Sequence, residues 1–179
     1  MEVKTKRRKL YRNIIVITVV TSIVWLMFRG LFYVFRVDGG SMLPTLSDND
    51  YAFTNRIVLQ IDDIERFDII VYRNDINGAE TVKRVIAMPN ETIMYRDDKL
   101  YIDGIYVVEP FLDMTFIASQ TLDNILNFTD DFGPITLGSN EYFVLGDNRL
   151  ISKDSRTQGT VNIENIIGKD IFIFYPFNK

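Results

Sequence analysis

The sequence predicts a mainly β domain hung from a single N-terminal transmembrane helix. Three observations predict it. An apolar run fills residues 14–35, and behind it short segments rich in β-branched and aromatic residues alternate with turn formers. Charge is also sharply divided: residues 1–12 carry six Lys/Arg against Glu2, a net +5, whereas residues 36–179 carry 13 Lys/Arg and 23 Asp/Glu, a net −10.

From Ile14 to Phe35 only Thr18, Thr21, Ser22, Arg29, Gly30 and Tyr33 interrupt a run of Ile, Val, Leu, Phe, Met and Trp. As a helix this stretch reaches roughly 33 Å, enough to cross a hydrocarbon core of about 30 Å. The cationic segment before it keeps the N-terminus cytoplasmic and sends the remainder outside, by the positive-inside rule. Arg29 can snorkel near the outer end, and Trp25, Phe32 and Tyr33 suit the interfacial belt. A cleavable signal peptide fits poorly, because its apolar stretch is about 7 to 15 residues and no small-x-small site follows here. The expected organisation is a cytoplasmic basic tail over 1–12, a transmembrane helix over 13–35 and an extracytoplasmic domain over 36–179, with about 92–140 a smaller inserted subdomain.

Six segments read as strands: Tyr51–Val58, Asp68–Tyr72, Thr81–Ala87, Lys99–Ile102, Glu141–Leu145 and Asp170–Tyr175. Asn77-Gly78 and Asp103-Gly104 each predict a hairpin. Residues 111–134 lack alternation and read as an irregular loop with one helical turn.

The chain has neither Cys nor His. A disulfide framework, a thiol nucleophile, a Ser-His-Asp triad and a His-ligated metal site are therefore excluded. The acidic domain argues against a nucleic-acid partner. A serine hydrolase built from this chain must take its base from Lys, Asp, Glu or an amino terminus.

Three stretches carry candidate chemistry. In Gly39-Gly40-Ser41-Met42-Leu43-Pro44-Thr45, two glycines allow a tight turn and Pro44 stiffens it, presenting the Ser41 hydroxyl just beyond the apolar run. Taken alone it reads first as an ordinary turn. If Thr81–Ala87 alternates regularly, Lys83 shares a face with Thr81, Val85 and Ala87, where burial would lower its pKa as a general base requires. Taken alone, a strand lysine reads first as solvent-facing. The third stretch, Gly146 to Arg156, directly follows a strand and is dense in turn formers and hydrogen-bonding side chains; it reads either as a charged surface turn or as a catalytic loop.

Ser41-Met42-Leu43-Pro44-Thr45, Arg66-Phe67-Asp68-Ile69-Ile70-Val71, Val82-Lys83-Arg84-Val85-Ile86-Ala87-Met88-Pro89, and Gly146-Asp147-Asn148-Arg149 with Ser152, Asp154, Ser155 and Arg156 resemble, in order and spacing, the sequence boxes of type I signal peptidases. The resemblance is nearest to the short forms of Bacillus and related Gram-positive organisms. It spans nearly the whole chain. It implies a domain of coiled, mostly antiparallel β-sheets with a serine/lysine dyad: Ser41 as nucleophile, Lys83 as general base, Ser152 as the hydroxyl that holds the lysine. Arg84, Asp147, Asp154 and Arg156 resemble the charged framework of the site. Val37, Asp38, Met42, Thr81 and Val82 align with shallow pockets for small residues at the first and third positions before the cut. The implied activity is removal of signal peptides from secretory preproteins at the outer face of the cell membrane, with the lipid bilayer as partner and no metal or organic cofactor.

The sequence departs from the family pattern in places. Ile151 stands where Asn is common, and Asn90-Glu91 follow Pro89 where Gly-Asp is usual. Gly39 replaces a serine used by some Gram-negative members, which implies that the backbone N–H groups of Ser41 and Gly39 serve the oxyanion. Two rival classes share these features: a self-cleaving regulator that also pairs Ser with Lys, opposed by the membrane segment and the lack of a DNA-binding region; and a catalytically silent membrane-tethered binding module, opposed by the joint presence of Ser41, Lys83 and Ser152.

Overall fold

A computed structural model describes residues 2–55, 63–76, 78–121 and 127–175. The chain opens with helix α1 (Glu2–Leu31), of which Arg7–Leu31 is long and apolar enough to cross a membrane. The helix stops four residues before the apolar run does. Phe32–Arg36 instead forms strand β1, paired antiparallel with β2 (Tyr51–Asn55) from Phe32↔Asn55 to Arg36↔Tyr51. Three aromatic residues and Val34 favour a strand there once a partner edge is available. The Phe32 ring lies 4.6 Å from Phe28 and 5.4 Å from Phe53, so one side chain joins helix and sheet. The first predicted strand segment, Tyr51–Val58, runs past β2, but residues 56–58 lie outside the described residues.

Two antiparallel sheets follow. The larger has the order β1-β2-β11-β3-β4-β9-β10, with β3 (Ile69–Arg73), β4 (Glu80–Ala87), β9 (Glu141–Leu145), β10 (Val161–Asn162) and β11 (Ile166–Tyr175). The smaller has the order β7-β6-β5-β8, from β5 (Thr92–Arg96), β6 (Lys99–Ile102), β7 (Ile105–Val107) and β8 (Phe132–Thr136). The fold is thus mainly antiparallel β, as expected.

Three turns explain the local pairing. Asn74 N donates to Ala79 O at 2.8 Å and Gly78 N to Asn74 O at 2.8 Å, closing the β3–β4 hairpin; Asn77 lies outside the described residues. Asp103 and Gly104 both adopt positive φ (51° and 78°), as a two-residue type I′ turn requires. Asp97 and Asp98 do the same between β5 and β6 without glycine (φ 51° and 57°), which hid that hairpin from the sequence reading. Within 111–134, helix α2 (Met114–Gln120) is capped by Asp113 Oδ1, which accepts from Thr115 N at 2.8 Å and Phe116 N at 3.1 Å.

Strand β9 is the divide between two cores. Its Phe143 and Leu145 pack with Ile86, Ile93, Tyr95, Leu100 and Ile102 beneath the small sheet, while Tyr142 and Val144 pack with Ile70, Tyr72, Val85 and Ile166. The period of two sends alternate residues to opposite faces, and both faces are covered. A third, smaller cluster of Val37, Met42 and Leu46, backed by Phe35, Ile69, Val82 and Ile171, seats the turn that carries Ser41.

Candidate active site

Register brings the candidate residues together. Lys83 pairs with Ile70 across β3–β4, and Arg84 pairs with Leu145 across β4–β9. The segment after Leu145, residues 146–155, therefore begins beside β4. The Ser41 turn lies between the two: Asn148 N donates to Ser41 O at 3.0 Å. Gly146 makes this approach possible, because a Cβ there would lie 2.2 Å from Ser152 Oγ and 2.4 Å from Ser41 O. No L side chain fits such a gap.

Lys83 Nζ donates to Ser41 Oγ at 2.7 Å and to Val82 O at 3.0 Å. The residue is 3% exposed. Burial lowers its pKa to about 8, against the opposing pull of Asp154 and Asp147, which favour the ammonium. Both carboxylates are otherwise engaged. Asp147 accepts from Arg84 Nε at 2.8 Å and Nη2 at 2.6 Å and from the Thr45 hydroxyl. Asp154 accepts from Arg156 Nε at 2.8 Å and Nη2 at 2.9 Å, and from Gly146 N at 3.1 Å. Among the described residues no carboxylate lies within ion-pair distance of Lys83. At pH 7.4 a lysine of pKa about 8 is roughly one-fifth neutral, against about one in a thousand at the unperturbed value.

Val37, Asp38, Met42, Thr81 and Val82 line one cleft of ≈ 370 Å³ together with Ser41 and Lys83. Two other expected roles meet a different geometry. Ser152 Oγ is buried but makes no hydrogen bond, so the expected bond to Lys83 is not formed here. The Gly39 N–H donates to Asp48 Oδ1 at 2.9 Å, whereas the Ser41 N–H has no described protein acceptor.

The structure adds residues that the sequence reading did not place. Arg149 has no exposed side-chain surface; it donates to Glu109 Oε1 at 2.5 Å, to Tyr95 OH at 2.5 Å, to Thr129 Oγ1 at 3.2 Å and to Gly146 O at 3.0 Å. Phe111 lies between two guanidinium groups, 4.0 Å from Arg84 Cζ and 5.9 Å from Arg149 Cζ. These contacts tie the small sheet to the segment that grips Ser41. Only Arg149 sat inside a motif; Glu109 and Phe111 carry no local sequence signal.

The family model described as "Signal peptidase, peptidase S26" matches residues 9–175. The chain is 38% identical over 164 residues to Signal peptidase I T of Bacillus subtilis (strain 168), covering 91% of this chain and 84% of that protein. It is 40% identical over 163 residues to Signal peptidase I S of the same organism, covering 90% and 87%. The crystal structure of a signal peptidase I from Enterococcus faecalis V583 superposes with a TM-score of 0.53 at 37% identity, covering 61% of this chain and 97% of that one. With an apolar N-terminal helix, a mainly antiparallel β fold and a serine beside a buried lysine, the chain belongs to the signal peptidase I family, peptidase S26, and is a serine endopeptidase that cleaves signal peptides.

Proposed function

We propose that Ser41 is the nucleophile and Lys83 the general base that removes signal peptides from secretory preproteins. The observation that carries this is the 2.7 Å contact between Lys83 Nζ and Ser41 Oγ at a lysine whose pKa is lowered to about 8. Neutral Lys83 takes the Ser41 proton as Oγ attacks the scissile carbonyl. The Ser41 N–H stabilises the oxyanion, since it has no described protein acceptor while the Gly39 N–H is held by Asp48. Collapse of the tetrahedral adduct breaks the C–N bond, and the lysine ammonium returns the proton to the departing amine. A water, deprotonated by Lys83, then hydrolyses the acyl-enzyme.

Arg84 with Asp147, and Asp154 with Arg156, hold the two segments that flank the dyad. Ser152, whose buried Oγ has no hydrogen-bond partner, is the hydroxyl assigned to orient Lys83. Ser152→Thr should therefore keep more activity than Ser152→Ala.

The ≈ 370 Å³ cleft supports a specificity for small residues. An extended peptide exposes alternate side chains to one wall, so the first and third residues before the cut meet Val37, Met42, Thr81 and Val82 while the second faces away. Replacing Ala by Phe or Leu at the first position should abolish cleavage of a preprotein in detergent, with Ser41→Ala as the blank; a preference for large or charged residues there would sink the assignment.

The basic segment before the apolar helix supports an N-in orientation, with the domain outside the cytoplasmic membrane. External protease should digest the domain on intact cells and spare the anchor. A protected domain would reverse the orientation.

A further inference from the structure

Two cavities meet at Ser41, sharing Asp38, Thr81 and Lys83. Beyond the cleft already described, a second hollow of ≈ 300 Å³ also reaches Ser41 and Lys83, and it extends to Asn74, Ile151, Lys153 and Gln158. An endopeptidase must hold chain on both sides of the scissile bond. If the first cleft takes the signal side, the second lies where the departing side runs.

Part of the wall of this hollow is the turn closed by Ser152 N, which donates to Asn148 O at 3.1 Å. Ser152 turns inward, its Oγ buried at the point where a Cβ on Gly146 would sit. Its neighbours Ile151 and Lys153 are both exposed and line the hollow. Ile151 Cδ1 lies 3.5 Å from a Cβ built on Gly40, so its tip rests directly beside the nucleophile's turn. Lys153 has no ion-pair partner among the described residues. It is a free cation at the rim of a catalytic cavity, in a domain whose formal charge from residue 36 onward is −10. That background disfavours acidic peptide segments everywhere except near such a cation. Asp38, the one acid among these lining residues, is shared with the signal-side cleft, whereas Lys153 lines only the second hollow.

We infer that this hollow is the binding site for the first residues after the cut, and that Lys153 selects for an acidic side chain among them. The inference rests on the proposed assignment of Ser41 and adds the charge class of the departing segment.

The test uses the full-length protein in detergent and peptides that share one signal side and carry Glu, Gln or Lys, one at a time, at the first three residues after the cut. An exposed charge pair contributes modestly, so at one of these positions Glu should exceed Lys by about tenfold in kcat/KM at low salt, the ratio shrinking as salt rises. Lys153→Gln should flatten the ratio and Lys153→Glu invert it, which a merely structural lysine would not do. A wild-type ratio within about twofold at all three positions, or a ratio that Lys153→Glu leaves unchanged, overturns the site. Absence of any Ser41-dependent cleavage would overturn the nucleophile assignment as well, whereas Ser41-dependent cleavage indifferent to Lys153 overturns this inference alone.

Discussion

Lys83 and Lys169 are equally buried, each 3% exposed, yet their surroundings differ in one respect. Lys169, on β11, donates to Asp63 O at 2.6 Å and has Asp68 Oδ2 at 3.4 Å. Lys83 has a serine hydroxyl and a backbone carbonyl, while its two nearest acidic influences are held by arginines. Burial penalises both ammonium groups, but only Lys169 has a carboxylate in contact to offset that cost. What separates the lysine proposed as base from the other is the allocation of the carboxylates rather than the depth of burial.

The largest break in this comparison comes from fixing the charge. Lys83→Arg keeps a cation that cannot deprotonate, so both it and Lys83→Ala should lower kcat by about 10²- to 10⁴-fold in a preprotein cleavage assay. Substantial activity in the arginine variant would end the role of Lys83 as base. The pH dependence sharpens the same point: kcat/KM should rise with pH and level off above about 8, falling to about one-hundredth of the plateau at pH 6. A profile flat from pH 6 to 9 would contradict a titrating lysine.

Stability gives a smaller effect of opposite sign for the two residues. Because Lys83 has a folded pKa below its unfolded value, the unfolded chain binds more protons between about 8 and 10.5, and stability rises with pH across that window. Below about pH 8 the full penalty, roughly 3 kcal/mol, is present. Lys83→Met should therefore raise stability at pH 7 by up to about 3 kcal/mol, with the gain fading toward pH 10.5. Lys169→Met should lower it by about 1 to 2 kcal/mol, since Asp68 loses its cation and keeps, among the described residues, only the Glu65 N–H. Denaturant unfolding at pH 7 and 10 distinguishes the two; equal signs at pH 7 would erase the contrast.

The strands that bear Lys83 and precede Gly146 were legible because Thr81–Ala87 and Glu141–Leu145 are unbroken β-forming runs bounded by turn residues. The small sheet was less so. Its β5–β6 turn uses Asp-Asp rather than Asn-Gly, and β8 contains Gly133 and Pro134, residues that usually argue against a strand. The helix end was misjudged because Phe32–Phe35 are as apolar as a membrane segment, and only the pairing with β2 identifies them as a strand. At the site, motif residues could be named from sequence, but the engagement of Gly39 N–H by Asp48 and the link from Glu109 through Arg149 depend on contacts distant in the chain.

Arg149 also bears on how substrate must arrive. A guanidinium without exposed surface, satisfied by four partners from four parts of the chain, is costly to unseat. Residues 146–155 are thus a fixed jamb and not a door. If Ser41 acts as proposed, a preprotein finds its berth already open and must come to it as unwound, extended chain, so any helix in the segment to be cut has to melt first.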